Sequence, residues 1–337
     1  MHMANIIFSD EFNLSTLDAS KWSPVWGKFD PNKGTQMRFT DKNIYTGNGL
    51  ELYATVATGA DAEKAPFLSG MVNTRKPDKG EILFQAKGQF IVSVGAKLPN
   101  AGSSWPGIWL TGTKGDWPAC GEIDILEAKG WRRRDYQMNT HSPRAGEPTK
   151  SQQHAKSLSQ TQSTLKESYS GTHLYTYSVA KLNDRVDFYL NTELVHTVMY
   201  SEMDDPTPFT DPENGWIIRL SHIIGGSFLE YEGNREYVDA TKHKSDYPAS
   251  LSIDSVHVVS LDEPGTVSFG GAYKNLEALI TKYKDVKPAP PVVAPPTPEP
   301  PVVVTPTPAP VPAPKPRGER AKNDWVREED SLVFIML

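Results

Sequence analysis

From residue 5 to about residue 270 the chain is a succession of short runs rich in β-branched and aromatic residues. That limits the folds open to it. GLELYATV, GQFIVSVGAKL, HLYTYSVA, RVDFYLNTELVHTVMY, GWIIRLSHII and SLSIDSVHVVSL have strand composition, and Gly, Pro, Asn and Asp punctuate them. RVDFYLNTELVHTV reads as a hairpin turning near Asn191 and Thr192. Only residues 273–286, YKNLEALITKYKDV, carry a helical stripe, with Leu276, Leu279, Ile280 and Tyr283 recurring at three and four. Many short strands without alternating helices predict an all-β sandwich or jelly roll of two packed antiparallel sheets. Sandwiches of this kind can use well over 200 residues as one domain.

Composition marks where that domain ends. Half of the chain's 28 prolines fall between Pro288 and Pro316. Proline removes backbone donors and favours extended polyproline geometry, so this stretch reads as a semi-rigid linker. The expected organisation is a β-sandwich over 5–270, a short helical extension over 271–287, a linker over 288–316 and a tail over 317–337. The tail is too short to bury a core of its own. It reads as a disordered end or as a segment that attaches to another protein or module. A net charge of −6 argues against nucleic acid or an anionic membrane as the main partner. A single cysteine, Cys120, excludes an internal disulfide framework and a thiolate metal cluster. No apolar run of about 18 residues is present, so no membrane span is expected. The start, MHMANIIFSDEFN, does not read as a secretory leader.

The most informative stretch is GEIDILEAKG, residues 121–130, which places Glu122, Asp124 and Glu127 around Ile123, Ile125 and Leu126. A helix would scatter both sets. A regular strand would point Glu127 into the core beside Ile123 and Ile125, where an unpaired carboxylate costs several kcal/mol. One extra residue resolves the conflict. A β-bulge at Ile125 and Leu126 turns both coreward and returns Glu127 to the face of Glu122 and Asp124. Two glutamates about four strand steps apart, roughly 13 Å between Cα atoms at about 3.3 Å per residue, can lean together. Their carboxyl groups would then lie about 5 to 6 Å apart, the separation of a retaining glycosidase pair. Acids this close resist joint ionisation, so one should hold a proton near neutral pH. Two other readings are a solvated acidic stripe on an edge strand and a Ca²⁺ site. Against the second, no Gly-containing loop rich in carbonyl ligands accompanies the acids.

Four of the eight tryptophans, Trp105, Trp109, Trp117 and Trp131, lie between residues 105 and 131. Indole faces stack on sugar C–H faces, and the N–H can reach a hydroxyl. Trp105 and Trp117, each followed by proline, are expected in a cleft that binds a polysaccharide, while Trp109 fits core or cleft equally. His141, in NTHSPR, follows the acid strand closely enough to lie on its neighbour and is a further candidate for the site.

GEIDILE resembles the Glu-x-Asp-x-x-Glu signature of the family 16 glycoside hydrolases, which include laminarinases, agarases and carrageenases. FSDEFN with LDASKW, then SGMVNTR, KLPNAGSSWPGIWLTG, WPACGEIDILEAKG, DRVDFYLNTELVHT and IIGGSF are similar to the family's segments in the same order, over about residues 5–262. The resemblance implies a concanavalin-like β-jelly-roll with a concave sugar-binding cleft. It implies retaining, endo-acting hydrolysis of internal β-glycosidic bonds, with Glu122 as nucleophile, Glu127 as acid/base and Asp124 tuning the nucleophile. The bulged spacing is similar to the laminarinase, agarase and carrageenase branch, and WPACGEIDILE is most similar to laminarinases, which act on β-1,3-glucan. No cofactor for catalysis is implied. A structural Ca²⁺ is, at the segments of Glu11, Gly49 and Asp254. A monomer acting on a polymer, extracellular or virion-associated, is the corresponding expectation. The chain departs from laminarinase-like members at Ser221, where Asn is usual, and at Phe228, where Trp is usual. It departs also at Met71, where a polar or basic residue is common, and near Val92 and Val94, where Glu and Arg are often found.

Overall fold

The computed structural model describes residues 5–28, 33–77, 80–132, 135–158, 173–262 and 274–283. They belong to a unit within residues 1–289. The proline-rich stretch and the tail lie outside the described residues. The strands form two sheets. A back sheet of 11 strands runs in the order Glu193–Met199, Arg185–Leu190, Tyr175–Lys181, Phe90–Lys97, Ala249–Ser260, Leu50–Val56, Phe67–Ser69, Met37–Phe39 and Gly27–Lys28. Asn5–Asp10 also pairs with Ala249–Ser260, and Ile44–Thr46 with Leu50–Val56. A second sheet of 8 strands carries the cleft. Its order is Glu147–Gln153, Tyr136–Arg144, Glu122–Glu127, Ser104–Gly112, Trp216–Ile224, Met71–Asn73 and Ser23–Pro24, with Lys156–Leu158 also paired to Tyr136–Arg144. Pairing is antiparallel except between Met37–Phe39 and Phe67–Ser69. The protein is thus a β-jelly-roll sandwich.

Period-two alternation decides which way each strand faces. Along Trp216–Ile224, Trp216, Ile218 and Leu220 enter the core between the sheets with no exposed surface. Ile108 and Leu110 do the same from Ser104–Gly112, and Val92, Val94, Val256 and Val258 meet them from the back sheet. Each such side chain contributes about 1.5–3 kcal/mol on burial. The hairpin turns at Asn191, whose φ of 54° is the left-handed conformation such a turn requires. Behind the back sheet, the helix Lys274–Lys282 buries Leu276, Leu279 and Ile280 against Ile91, Ala180 and Val259. Tyr283, just past it, donates to Asp187 Oδ2 at 2.8 Å.

Candidate active site

The acid strand, Glu122–Glu127, lies between Ser104–Gly112, here the tryptophan strand, and Tyr136–Arg144, the histidine strand. Its register slips by one residue on both sides. Against the tryptophan strand, Gly107 faces Glu127, Ile108 faces Leu126 and Trp109 faces Asp124, leaving Ile125 as the extra residue. Against the histidine strand, Asp124 faces Asn139 and Glu127 faces Gln137. Ile123, Ile125 and Leu126 are all at most 1% exposed in the core, while Glu122, Asp124 and Glu127 line one cleft of about 440 Å³. This is the bulge that the two-then-three spacing predicts. Gly121, at φ 76°, opens the strand where a Cβ would lie 2.9 Å from the Pro208 ring. Gly107 leaves the floor open beneath Glu127, since a Cβ there would meet Ser221 Oγ at 2.9 Å.

The registers set side chains in rows across the sheet. One row holds His141, Glu122 and Thr111, and the next holds Asn139, Asp124, Trp109, Arg219 and Asn73. The third holds Gln137, Glu127, Gly107, Ser221 and Met71. His141 Nε2 lies 3.4 Å from Glu122 Oε1, 3.2 Å from Asp124 Oδ2 and 3.0 Å from the Asn139 amide, and Nδ1 lies 2.8 Å from Ser151 Oγ. Nε2 thus lies within reach of both carboxylates and of the Asn139 amide nitrogen. Trp105 Nε1 donates to Glu127 Oε1 at 3.0 Å, and Asp124 shares a hydrogen bond with Glu122.

Burial is the main force on the acids. It pushes Glu122 up to about 8, with Asp124 and then Glu127 adding to the rise and His141 opposing it. Burial, reinforced by Glu127, holds Asp124 well above the usual carboxylate range. Glu127 is raised by burial as well, against the pull of His141 and the Trp105 N–H. The three acids therefore keep protons among themselves near neutral pH.

Stability follows with a definite sign. An unfolded chain ionises Glu122 near 4.5, while the folded chain holds its proton to about 8. Stability is therefore lost as pH rises from the first midpoint to the second, at about 1.36 kcal/mol per pH unit, and no loss occurs below that window. Glu122→Gln removes the ionisation. Calorimetry should show the variant gaining several degrees on wild type at the upper end of the window compared with the lower end, at about 2–4 °C per kcal/mol. A gap that does not change with pH contradicts the burial assigned to Glu122.

The residues singled out in the sequence separate into two groups. Trp109 and Trp117 line the cleft, half-buried, and Trp109 donates to Ser221 Oγ at 3.1 Å. The Trp117 ring lies 5.6 Å from that of His141. Trp105 also lines the cleft but is only 4% exposed. Phe228 stacks on it at 4.5 Å, Lys33 Nζ lies 5.4 Å from its ring, and its N–H is committed to Glu127. Trp105 thus orients an acid. His141 is buried against the acids themselves.

Cleft residues outside the expected site set include Lys33, Arg219, Ser221 and Phe228. The alternation in WIIRLSHII marks two of them. With Trp216, Ile218 and Leu220 inward, Arg219 and Ser221 must face the other way. Lys129, lowered by burial to about 8, sits over the Phe228 ring at 3.7 Å and bonds the Phe228 carbonyl.

Glu122, Asp124 and His141 offer ligand atoms within 4.8 Å of one another. Two proton-sharing carboxylates and one imidazole do not supply the six to eight oxygens that Ca²⁺ takes. The segments of Glu11, Gly49 and Asp254 do meet on the other side of the sandwich. A Cβ on Gly49 would lie 2.8 Å from the Ile253 carbonyl oxygen, and the Glu11 carboxylate accepts from His257 Nε2 at 3.0 Å. Any cation there would rely on backbone oxygens and the Asp254 carboxylate.

Residues 73–181, which contain the acid strand, match the family model described as XgeA-like, catalytic GH16 domain. The chain is 25% identical over 276 residues to glucan endo-1,3-β-glucosidase A1 of Niallia circulans, covering 75% of this chain and 37% of that protein. It therefore spans little more than a third of that relative. It is 24% identical to a β-glucanase of Rhodothermus marinus, covering 75% of this chain and 84% of that one. The laminarinase catalytic domain of Thermotoga maritima superposes with a TM-score of 0.61 at 22% identity, covering 79% of this chain and all of that one. Residues 73–181, the bulged acid strand among them, thus match the catalytic-domain model of family 16 of the glycoside hydrolases, and the chain has the fold of the Thermotoga maritima laminarinase catalytic domain.

Proposed function

We propose that the protein is a retaining, endo-acting hydrolase of β-glycosidic bonds within a polysaccharide, with β-1,3-glucan as its substrate. The observation that carries this reading is the acid set: Glu122, Asp124 and Glu127 on one face of a bulged strand, in a cleft walled by Trp109 and Trp117. The glucanase names of the relatives support the substrate. In the first step the Glu122 carboxylate attacks the anomeric carbon while Glu127 gives its proton to the departing glycosidic oxygen. The proton that the resting cleft keeps on Glu122 and Asp124 stays with Asp124 as Glu122 attacks, and the hydrogen bond between them keeps the nucleophile oriented. In the second step Glu127 takes a proton from water, the water oxygen attacks the anomeric carbon, and Glu122 leaves as a carboxylate.

The test is release of reducing ends from laminarin, with mixed-linkage glucan, agarose and carrageenan alongside. Laminarin should shorten to a ladder of oligosaccharides. Cleavage of a galactan with laminarin left whole would move the substrate. Binding without cleavage of any polymer would reduce the domain to a carbohydrate-binding module.

A polymer substrate places the action outside the cell or on a virion, with the protein as a monomer. Among the described residues no helix is long and apolar enough to cross a membrane. The Glu11, Gly49 and Asp254 segments would hold a structural Ca²⁺ that takes no part in either step. A melting temperature unmoved by EDTA and by added Ca²⁺ would contradict that site.

A further inference from the structure

Three side chains of the cleft aim ligand atoms at one point. His141 Nε2 lies 3.4 Å from Glu122 Oε1 and 3.2 Å from Asp124 Oδ2, and all three atoms fall within 4.8 Å of one another. A tetrahedral Zn²⁺ with bonds of about 2.0–2.1 Å sets its ligand atoms about 3.3 Å apart. Two of the three edges already have that length, and the third runs between two carboxylate oxygens that can turn. One imidazole and two carboxylates suit a borderline divalent metal with an open fourth position. Hard Mg²⁺ and Ca²⁺ ask for more oxygens.

Clustered acids do not by themselves make a metal site. Two buried atoms here point to a ligand. Asp124, 3% exposed, has its Oδ2, and Asn139, 1% exposed, its Oδ1, without a hydrogen-bond donor among the described residues. Such a buried acceptor costs about 1–3 kcal/mol. Asn139 faces Asp124 across the register and lines the same cleft. A metal on Asp124 Oδ2 satisfies the first atom, and an O–H of metal-bound water can satisfy the second. The imidazole is oriented for the task. Its Nδ1 lies 2.8 Å from Ser151 Oγ, on the strand Glu147–Gln153. With the proton on Nδ1 and donated to Ser151, Nε2 keeps a lone pair toward the acids. The metal takes the place of the Asn139 amide nitrogen, 3.0 Å from Nε2, and displaces the protons that the acids hold.

We propose that Glu122, Asp124 and His141 form a binding site for a divalent transition metal of the Zn²⁺ type. The metal and the sugar claim the same space, so the metal is a reversible inhibitor. The inhibition rests on Glu122 being the nucleophile, whereas the binding can be measured without any substrate.

The experiment is calorimetric titration of the wild-type protein with ZnCl₂ in excess Ca²⁺, which fills any site on the other side of the sandwich. One Zn²⁺ should bind, and Mg²⁺ should give no heat. His141→Gln and Asp124→Asn should each weaken Zn²⁺ by at least about 10²-fold, and Ser151→Ala by about tenfold. No binding to wild type overturns the site. So does an affinity unchanged in both ligand variants, since the metal then sits elsewhere. If neither variant folds, Ser151→Ala stands in, and an unchanged affinity there is equally fatal. In cleavage assays Zn²⁺ should inhibit with a KI close to the titrated Kd, and more laminarin should relieve it. Inhibition that laminarin does not relieve would overturn the shared space. Zn²⁺ bound through these ligands with cleavage untouched would keep the site and remove Glu122 from catalysis, so the two readings fail separately.

Discussion

Glu122→Gln should lose at least about 10⁴-fold in kcat on the polymer, because removing a covalent nucleophile leaves only binding and charge stabilisation. The loss alone does not establish the role, since Glu122 interacts electrostatically with Asp124 and Glu127. A smaller variant decides it. Glu122→Ala opens space on the floor beside Thr111 and His141, the cross-strand neighbours of Glu122. Azide can enter there and attack the anomeric carbon from the vacated side. Turnover should return with azide, and the product should be the α-glycosyl azide, formed by a single displacement at a β-linked sugar. Full activity in Glu122→Gln, or a β-azide from Glu122→Ala, would take the nucleophile away from Glu122.

Glu127→Gln should behave differently although the carboxylate lost is similar. The polymer's leaving oxygen needs a proton, so cleavage should fall by about 10²–10⁴-fold. An aryl glycoside with an acidic phenol leaves without help. It should still load Glu122 in a burst and then stall, because no base remains to activate water. Azide needs no base and should discharge the glycosyl-enzyme as the β-azide. The two variants thus give opposite anomers, and an exchange of those outcomes would exchange the two roles. The Trp105 N–H held on Glu127 Oε1 places that carboxyl on the floor even before substrate arrives. Trp105 is therefore part of what this second experiment probes.

The acid strand is legible from sequence because burial there has only one solution. Three apolar residues and three acids at that spacing cannot all be satisfied without an extra residue, and the register shows Ile125 supplying it. The hairpin at Asn191 and the helical stripe from Leu276 to Tyr283 follow from equally local rules. Elsewhere the determining contacts are distant. Trp105 looks like a cleft tryptophan from its loop-like neighbours, yet Phe228, more than a hundred residues on, covers its face. Arg219 meets Trp109 only through a register between strands far apart in the chain. The strand Glu147–Gln153 carries no apolar face, because it pairs at the sheet's end and its side chains stay largely in solvent, so no periodicity marks it. The histidine strand contains Pro143, which argues against a central strand, but this proline sits beside a register shift next to the sheet edge.

The most direct measurement of the central claim is the anomeric configuration of the first sugar released, read by ¹H NMR within minutes of adding wild-type protein to laminarin. Two carboxyls leaning together from one bulged strand predict double displacement, so the β-anomer should appear first and then mutarotate toward the α form. An α-anomer appearing first would mean inversion by direct attack of water, and Glu122 could not then be the nucleophile.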